Sequence, residues 1–399
     1  MKITNVRLRK LTGTAECDPG FVEDRVVMPI DVYPEHRLLE RAALPRVDDR
    51  HVRVEGLFIQ IETDEGVSGI AGPLLGDHLG QIVVDRLAPM IAGRDPRSTE
   101  LLWDQMFRQS PDGRLGDTLM AISAVDCALW DLKGKALGEP VARLLGGPTR
   151  DRVPAYASMI SSSTSDLGLV RERAAEWSGK GYRAQKWFFR HGPGSGNEGI
   201  DKNVALARTL REVLGDGYDL MFDAWMSWDL PYALKMARRL EEFAPRWLEE
   251  PLMPDRLDGH AELRQHTSIP ISGGEHTMTR WSFKAVAEAR AMDILQPDIY
   301  WTGGISEALK IAALASAHDL QVMVHGFNNP ANLHFSAAMS PSLTPLQENQ
   351  VLWSPLFQHF LKEPAQSVDG DFLAPAAPGM GMELDPDKIE SETVVMMGE

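Results

Sequence analysis

The chain has 399 residues, 43% of them hydrophobic and 25% charged, with 41 Lys and Arg against 57 Asp and Glu for a formal net charge of −16. Those proportions are ordinary for a globular protein, and the length suffices for one large α/β domain with a smaller partner. The acidic balance argues against non-specific nucleic-acid binding, which needs a basic footprint, and no run of ~18–20 apolar residues offers a membrane span.

The first elements read as a hairpin with an oversized insert. "ITNVRLRKL" from Ile3 alternates as a strand, and "GLFIQIETDEGVSGIA" from Gly56 is a second strand ended by the Asp64-Glu65-Gly66 turn. The arginine-rich stretch between them is long enough to be a lid over a functional site. Its candidate substrate-binding side chains are Arg25, His36 and Arg46, with Tyr33, Arg37 and Arg41 beside them. A solvated surface explains any one of these equally well. Helical patterns follow at Leu79–Ile91, Thr99–Phe107 and Leu119–Leu145.

From Val153 the rhythm changes. Strand-like runs alternate with amphipathic stretches: "VPAYAS", "RAQKWFF", "DLMFDA", "RWLEE", "IPISGGE", "DILQPD", "LQVMVHG" and a weaker "PLQEN". Eight such runs predict a parallel (β/α) barrel rather than an open sheet. After Leu361 the chain turns Pro- and Gly-rich, with no further βα unit.

Ionisable residues recur at the carboxyl ends of these runs: Lys186, Asp223, Glu249, Glu275, Asp298, His325 and Glu348. Barrels of this kind build their active sites on that face. Any single one reads as a helix N-cap or a satisfied histidine. Recurrence at the same point of successive strands is harder to explain that way. Like charges converging on a barrel mouth repel unless a cation sits among them. Asp223, Glu249 and Glu275 are therefore read as ligands of a hard divalent ion, Mg²⁺ first and Mn²⁺ as an alternative. In "WLEEP", Glu249 keeps step with the other two, and Glu250 is expected to point elsewhere.

Taken with the motifs "AVDCALWDLKGK", "LMFDAWMSWD", "WLEEP", "SGGEH", "DILQPD", "VHG" and "PGMGMEL", the chain resembles the mandelate racemase/muconate lactonizing enzyme branch of the enolase superfamily, over essentially its whole length. Within that branch it is most similar to the rhamnonate dehydratase group. The resemblance implies a modified (β/α)7β TIM-type barrel with an α+β capping domain. The expected boundaries are residues 1–125 for the cap with its lid, 126–361 for the barrel, and 362–399 for a segment returning to the cap.

The resemblance also implies that Asp223, Glu249 and Glu275 bind Mg²⁺, that Asp298 and His325 form a catalytic dyad, and that Glu348 is an acid facing the substrate. Racemases of the branch carry a Lys-x-Lys pattern on the second strand, whereas this chain reads Lys186-Trp187-Phe188. A phenyl ring transfers no proton, so His325 is the clearest base and Lys186 is read as a charge near the substrate carboxylate. The expected function is dehydration of an aldonic or aldaric acid to a 2-keto-3-deoxy acid. The alternatives are a racemase, epimerase or cycloisomerase working through the same enediolate, or a non-catalytic sugar-acid binder. A protonated Glu348 would donate a hydrogen bond to that enediolate.

His191 and Arg190 in the loop after the second strand, and Trp225 and Trp228 in "DAWMSWD", are further candidates for the pocket wall. The similar group has a histidine where this chain has Arg25, which leaves the sugar open. Only Cys17 and Cys127 are present, and a reducing cytoplasm, a small-molecule acid-sugar substrate and a homo-oligomer complete the expectations.

Overall fold

A computed structural model describes residues 1–17, 22–37, 44–111, 113–326 and 329–397. Strand β1 (Ile3–Glu16) pairs antiparallel with β2 (His51–Thr63) along its whole length, from Ile3 opposite Thr63 to Glu16 opposite His51. Strand β3 (Ser68–Leu74) continues the hairpin through the expected turn. The long insert is therefore Cys17 to Arg50, shorter than the sequence pattern suggests, because both strands extend beyond their alternating cores.

Helix Asp117–Leu137 lies across this sheet and is buried on nearly every side, which is why it carries little polar/apolar asymmetry. It runs uninterrupted through the 125/126 boundary expected from the sequence. The approach to β3 is close enough to require glycine: a Cβ on Gly69 would stand 2.2 Å from the Ala128 carbonyl oxygen. The helical pattern expected to reach Leu145 breaks earlier. Gly138 adopts the left-handed conformation that ends helices, and Pro140 disfavours a helical residue before it.

The barrel holds eight parallel strands, one for each predicted run: β4 (Arg152–Ser158), β5 (Ala184–Phe188), β6 (Asp219–Asp223), β7 (Trp247–Glu249), β8 (Ile271–Gly273), β9 (Ile294–Leu295), β10 (Gln321–Val322) and β11 (Gln347–Gln350). Successive strands pair in order from β4 to β10, and β11 pairs parallel with β4, while among the described residues no ladder joins β11 to β10. Strand β13 (Asp371–Leu373) pairs antiparallel with the amino-terminal half of β4 and carries β12 (Ser367–Val368) on its other edge. The last strand, β14 (Ser391–Met396), pairs antiparallel with β1.

Strand periodicity places the chemistry. Tyr156, Ala184, Met221, Trp247, Ile294 and Met323 form a small apolar cluster inside the barrel. Two residues further along their strands stand Ser158, Lys186, Asp223, Glu249, Gln296 and His325, all buried. Because side chains repeat their direction every second residue, the polar layer stacks on the apolar floor at the carboxyl-terminal rim.

Candidate active site

The rim gathers most of the expected ionisable residues. Asp223 and Glu249 are direct neighbours in the β6–β7 ladder, and Asp298 and His325 form an isolated parallel bridge that prolongs β9 and β10. Lys186 is fully buried and donates to Glu249 Oε1 at 2.5 Å; its Nζ lies 3.0 Å from Glu348 Oε1 and 3.3 Å from Asp223 Oδ2. The second oxygen of Glu249 accepts from Trp247 Nε1 at 2.8 Å and Gln296 Nε2 at 2.7 Å. Glu275 turns the other way: Oε2 is 3.1 Å from His325 Nε2, and Oε1 accepts from the Trp225 indole at 3.3 Å. The other ring nitrogen of His325, Nδ1, is 3.0 Å from Asp298 Oδ2.

The adjacent Glu250 separates from Glu249 through its backbone. With φ of +37° it leaves the strand, and its carboxylate meets His276 Nδ1 at 2.9 Å. Glu250, Glu275 and His276 bring ligand atoms within 4.8 Å of one another. The three assigned acids instead divide between Lys186, which holds Asp223 and Glu249, and His325, which faces Glu275.

Electrostatics follow from burial and these partners. Burial and the neighbouring Glu249 push the Asp223 carboxyl well above its usual range, and burial raises Glu275 to about 7. Burial alone would lower Lys186, but Glu249 and Glu348 outweigh it and keep the ammonium protonated. Burial also opposes charge on His325, yet Glu275 and Asp298 raise it to about 10. For Glu348, burial acts upward but is overcome by Lys186 and His325, so its carboxyl lies below the usual range. It accepts the Gly326 N–H at 3.0 Å and stands as an anion, not as the protonated donor expected from the sequence. The ammonium of Lys186 lies among these acids.

A hard divalent cation fits this rim. Asp223, Glu249 and Glu275 offer carboxylate oxygens from successive strand ends, though they are not drawn to one point here, and a cation would relieve the burial and mutual repulsion that raise Asp223 and Glu275.

The insert lies over the loops at this rim. Glu23 N–H donates to the Ser161 carbonyl and Val27 N–H to that of Phe189, both at 2.9 Å, and Arg37 reaches the Gly194 carbonyl at 2.7 Å. Several proposed substrate contacts are occupied elsewhere. Arg25 is buried in an ion pair with Asp31 at 2.5 Å and donates to the His36 carbonyl. Half-buried His36 sits in the short helix Pro34–Arg37 with its ring edge-on to Tyr33. Exposed Arg46 lies at the hairpin base, bridged to Val52. His191 offers its carbonyl to Asn203 and Trp228, and Arg190 faces Asp24 at 3.4 Å. Trp228 is buried against Phe189, while Trp225 stands at the mouth. Arg41 lies outside the described residues.

Sequence reasoning missed His276 and Trp301. Their rings join Trp225 to His325 in a continuous wall, with centroids 6.4, 5.6 and 5.3 Å apart. The only signals were adjacency: His276 follows Glu275, and Trp301 comes three residues after Asp298.

Fold and site together define a barrel enzyme of acid–base type, built on a carboxylate cluster under a capping sheet. The family model for the mandelate racemase/muconate lactonizing enzyme N-terminal domain matches residues 51–146, and that for the enolase C-terminal domain-like region matches residues 169–388. The chain belongs to this branch of the enolase superfamily. It is 35% identical to L-rhamnonate dehydratase of Saccharopolyspora erythraea, with 97% of each chain covered. Rhamnonate dehydratase of Gibberella zeae, solved with Mg, superposes with a TM-score of 0.83 at 28% identity, covering 97% of this chain and 95% of that one. The 3,6-anhydro-D-galactonate cycloisomerase of Zobellia galactanivorans gives 0.79 at 28% identity, covering 98% and 99%. Among the described residues no helix is long and apolar enough to cross a membrane.

Proposed function

We propose that this protein is a Mg²⁺-dependent hydro-lyase that converts an acid sugar to its 2-keto-3-deoxy acid. The observation that carries the reading is the asymmetry of the mouth. One wall presents an imidazole held by a carboxylate, whereas the β5 wall presents only an ammonium engaged by acids and the Phe188 ring. A single base suits elimination better than inversion, which needs a proton donor on the opposite face.

Asp223, Glu249 and Glu275 would hold the ion. When bound, Mg²⁺ supplies Lewis-acid stabilisation of the charge that develops on the substrate carboxylate as the α-proton leaves. Glu275, once it serves the ion, would no longer hold a proton on the ring, which leaves His325 Nε2 to take that proton. Asp298, on Nδ1, fixes the tautomer and balances the imidazolium that forms. The same Nε2 proton then passes to the departing β-hydroxyl, which leaves as water, and the resulting enol tautomerises to the keto acid. The ring wall of Trp225, His276 and Trp301 limits water beside the base.

The test is a library of aldonic and aldaric acids incubated with purified protein and Mg²⁺. Keto-acid formation is followed by semicarbazone absorbance, in parallel with proton NMR in D₂O. Keto acid from at least one member is expected. Deuterium uptake at the α-carbon without keto acid would replace dehydration by epimerisation. No product from a protein that binds Mg²⁺ would end the reading. The cytoplasmic setting and the homo-oligomer belong to the same proposal. Cell fractionation and light scattering check them.

A further inference from the structure

Lys186 is the most heavily paired cation of the rim. Its ammonium lies 2.5 Å from Glu249, 3.0 Å from Glu348 and 3.3 Å from Asp223, and it is 1% exposed. The rings of Phe188 and Tyr156 stand around it, with centroids 5.3 and 5.8 Å from Nζ. It therefore has little water to turn to. Three carboxylates from β6, β7 and β11 are drawn to one point that belongs to none of those strands. Without the ammonium, these like charges would face one another in a low-dielectric layer directly above Trp247, Met221 and Tyr156.

We propose that Lys186 is a positioning residue of the metal site: a resident counter-ion that holds Asp223 and Glu249 convergent, ties them to Glu348, and shares Glu249 with an incoming divalent ion. The role is distinct from contact with a substrate carboxylate, because it operates with no substrate present. It rests on the metal assignment proposed above. Two effects follow, and they have opposite signs. Removing the ammonium loosens the metal-free protein, since three buried acids lose their common partner. It also removes a positive charge from beside the ion, and the lost repulsion outweighs the lost convergence of the ligands, so the ion binds more tightly.

The experiment compares wild type with Lys186→Met, and with Lys186→Arg as the charge-keeping control, by thermal unfolding and Mg²⁺ titration calorimetry without substrate. Lys186→Met is expected to lower the Tm of the metal-free protein, to show a larger Mg²⁺-induced rise in Tm, and to tighten the Mg²⁺ Kd by at least about tenfold, because like charges a few ångströms apart in a protein interior repel strongly. Lys186→Arg should restore most of the metal-free Tm. If Lys186→Met is insoluble, Lys186→Gln removes the charge, keeps a donor and carries the same test. A merely structural lysine would lower Tm with and without Mg²⁺ alike and leave Kd unchanged, and that result overturns the proposal. A wild type that binds no Mg²⁺ overturns the metal assignment itself, which separates the two failures.

Discussion

At the residue scale the imidazole is the point on which the chemistry turns. His325 stands between two carboxylates, Asp298 on Nδ1 and Glu275 on Nε2. Asp298 holds Nδ1, so Nε2 is the atom left to exchange protons with a substrate once Glu275 is engaged elsewhere. Replacing His325 by Asn is expected to lower kcat by about 10²–10⁴-fold, the usual worth of a positioned acid–base group, while leaving the calorimetric Mg²⁺ affinity within a few-fold of wild type. Loss of both together would mean that the ring serves the carboxylate cluster rather than the reaction.

The presence of the acids, Asp298 and His325 on one rim was legible because each ends a run of a regular βα period, whereas their roles came from the family resemblance. That Glu249 and Glu250 point apart was legible, but the cause was not: Glu250 leaves the strand through its φ of +37° and meets His276. What escaped was what lies beyond the strands. His276 depends on the φ of +37° at Glu250, and Trp301 on the turn after Asp298. Loop directions of this kind leave no periodicity in the sequence.

At the scale of the element, the insert between β1 and β2 behaves as a lid with its own internal framework. Its arginines stand out in the sequence, and their partners do not: Arg25 is spent on Asp31, Arg37 on backbone carbonyls, and Glu23 on Arg173 and the Ser163 N–H. A buried ion pair gives little net stability, but removing one partner strands the other, at a cost of about 3–5 kcal/mol. Asp31→Ala therefore leaves the Arg25 guanidinium without its carboxylate. The loss falls on the lid, because the Arg25–Asp31 pair is tied to the His36 carbonyl and the Met28 N–H within it, and not on the barrel core. Limited proteolysis should cut the variant between residues 22 and 50 at least about tenfold faster than wild type, with the global Tm changed by no more than a few degrees. KM for the acid sugar should rise more than kcat falls. Unchanged cleavage would show that the lid is held by other contacts.

At the scale of the whole molecule, cap and barrel are joined by buried polar groups that make stability depend on pH away from the site. Asp131, on the long cap helix, accepts the N–H groups of Ile70 and Met380, and Asp126 accepts from Ser306 on the barrel helix Gly304–Ala317. His334, on helix Asn329–Ala338, is fully buried and accepts the Ala142 N–H at Nδ1, 2.9 Å away, tying the segment after the cap helix to the barrel. Burial lowers this histidine from 6.5 to about 4. Protonation at Nδ1 would also break the Ala142 bond. The unfolded chain therefore binds a proton that the folded one refuses, and stability falls as pH drops from about 6.5 toward 4. A shift of this size corresponds to about 3 kcal/mol when complete. Asp126, raised by burial to about 7, acts in the opposite sense, losing stability as pH rises from 3.8 toward 7, so the absolute profile mixes both. The difference between wild type and His334→Asn isolates the histidine. The variant loses packing at every pH, but its acid limb should be shallower, by close to one proton between pH 6.5 and 4 in urea unfolding series. Parallel profiles for the two proteins would show that the imidazole takes up its proton without disturbing the fold.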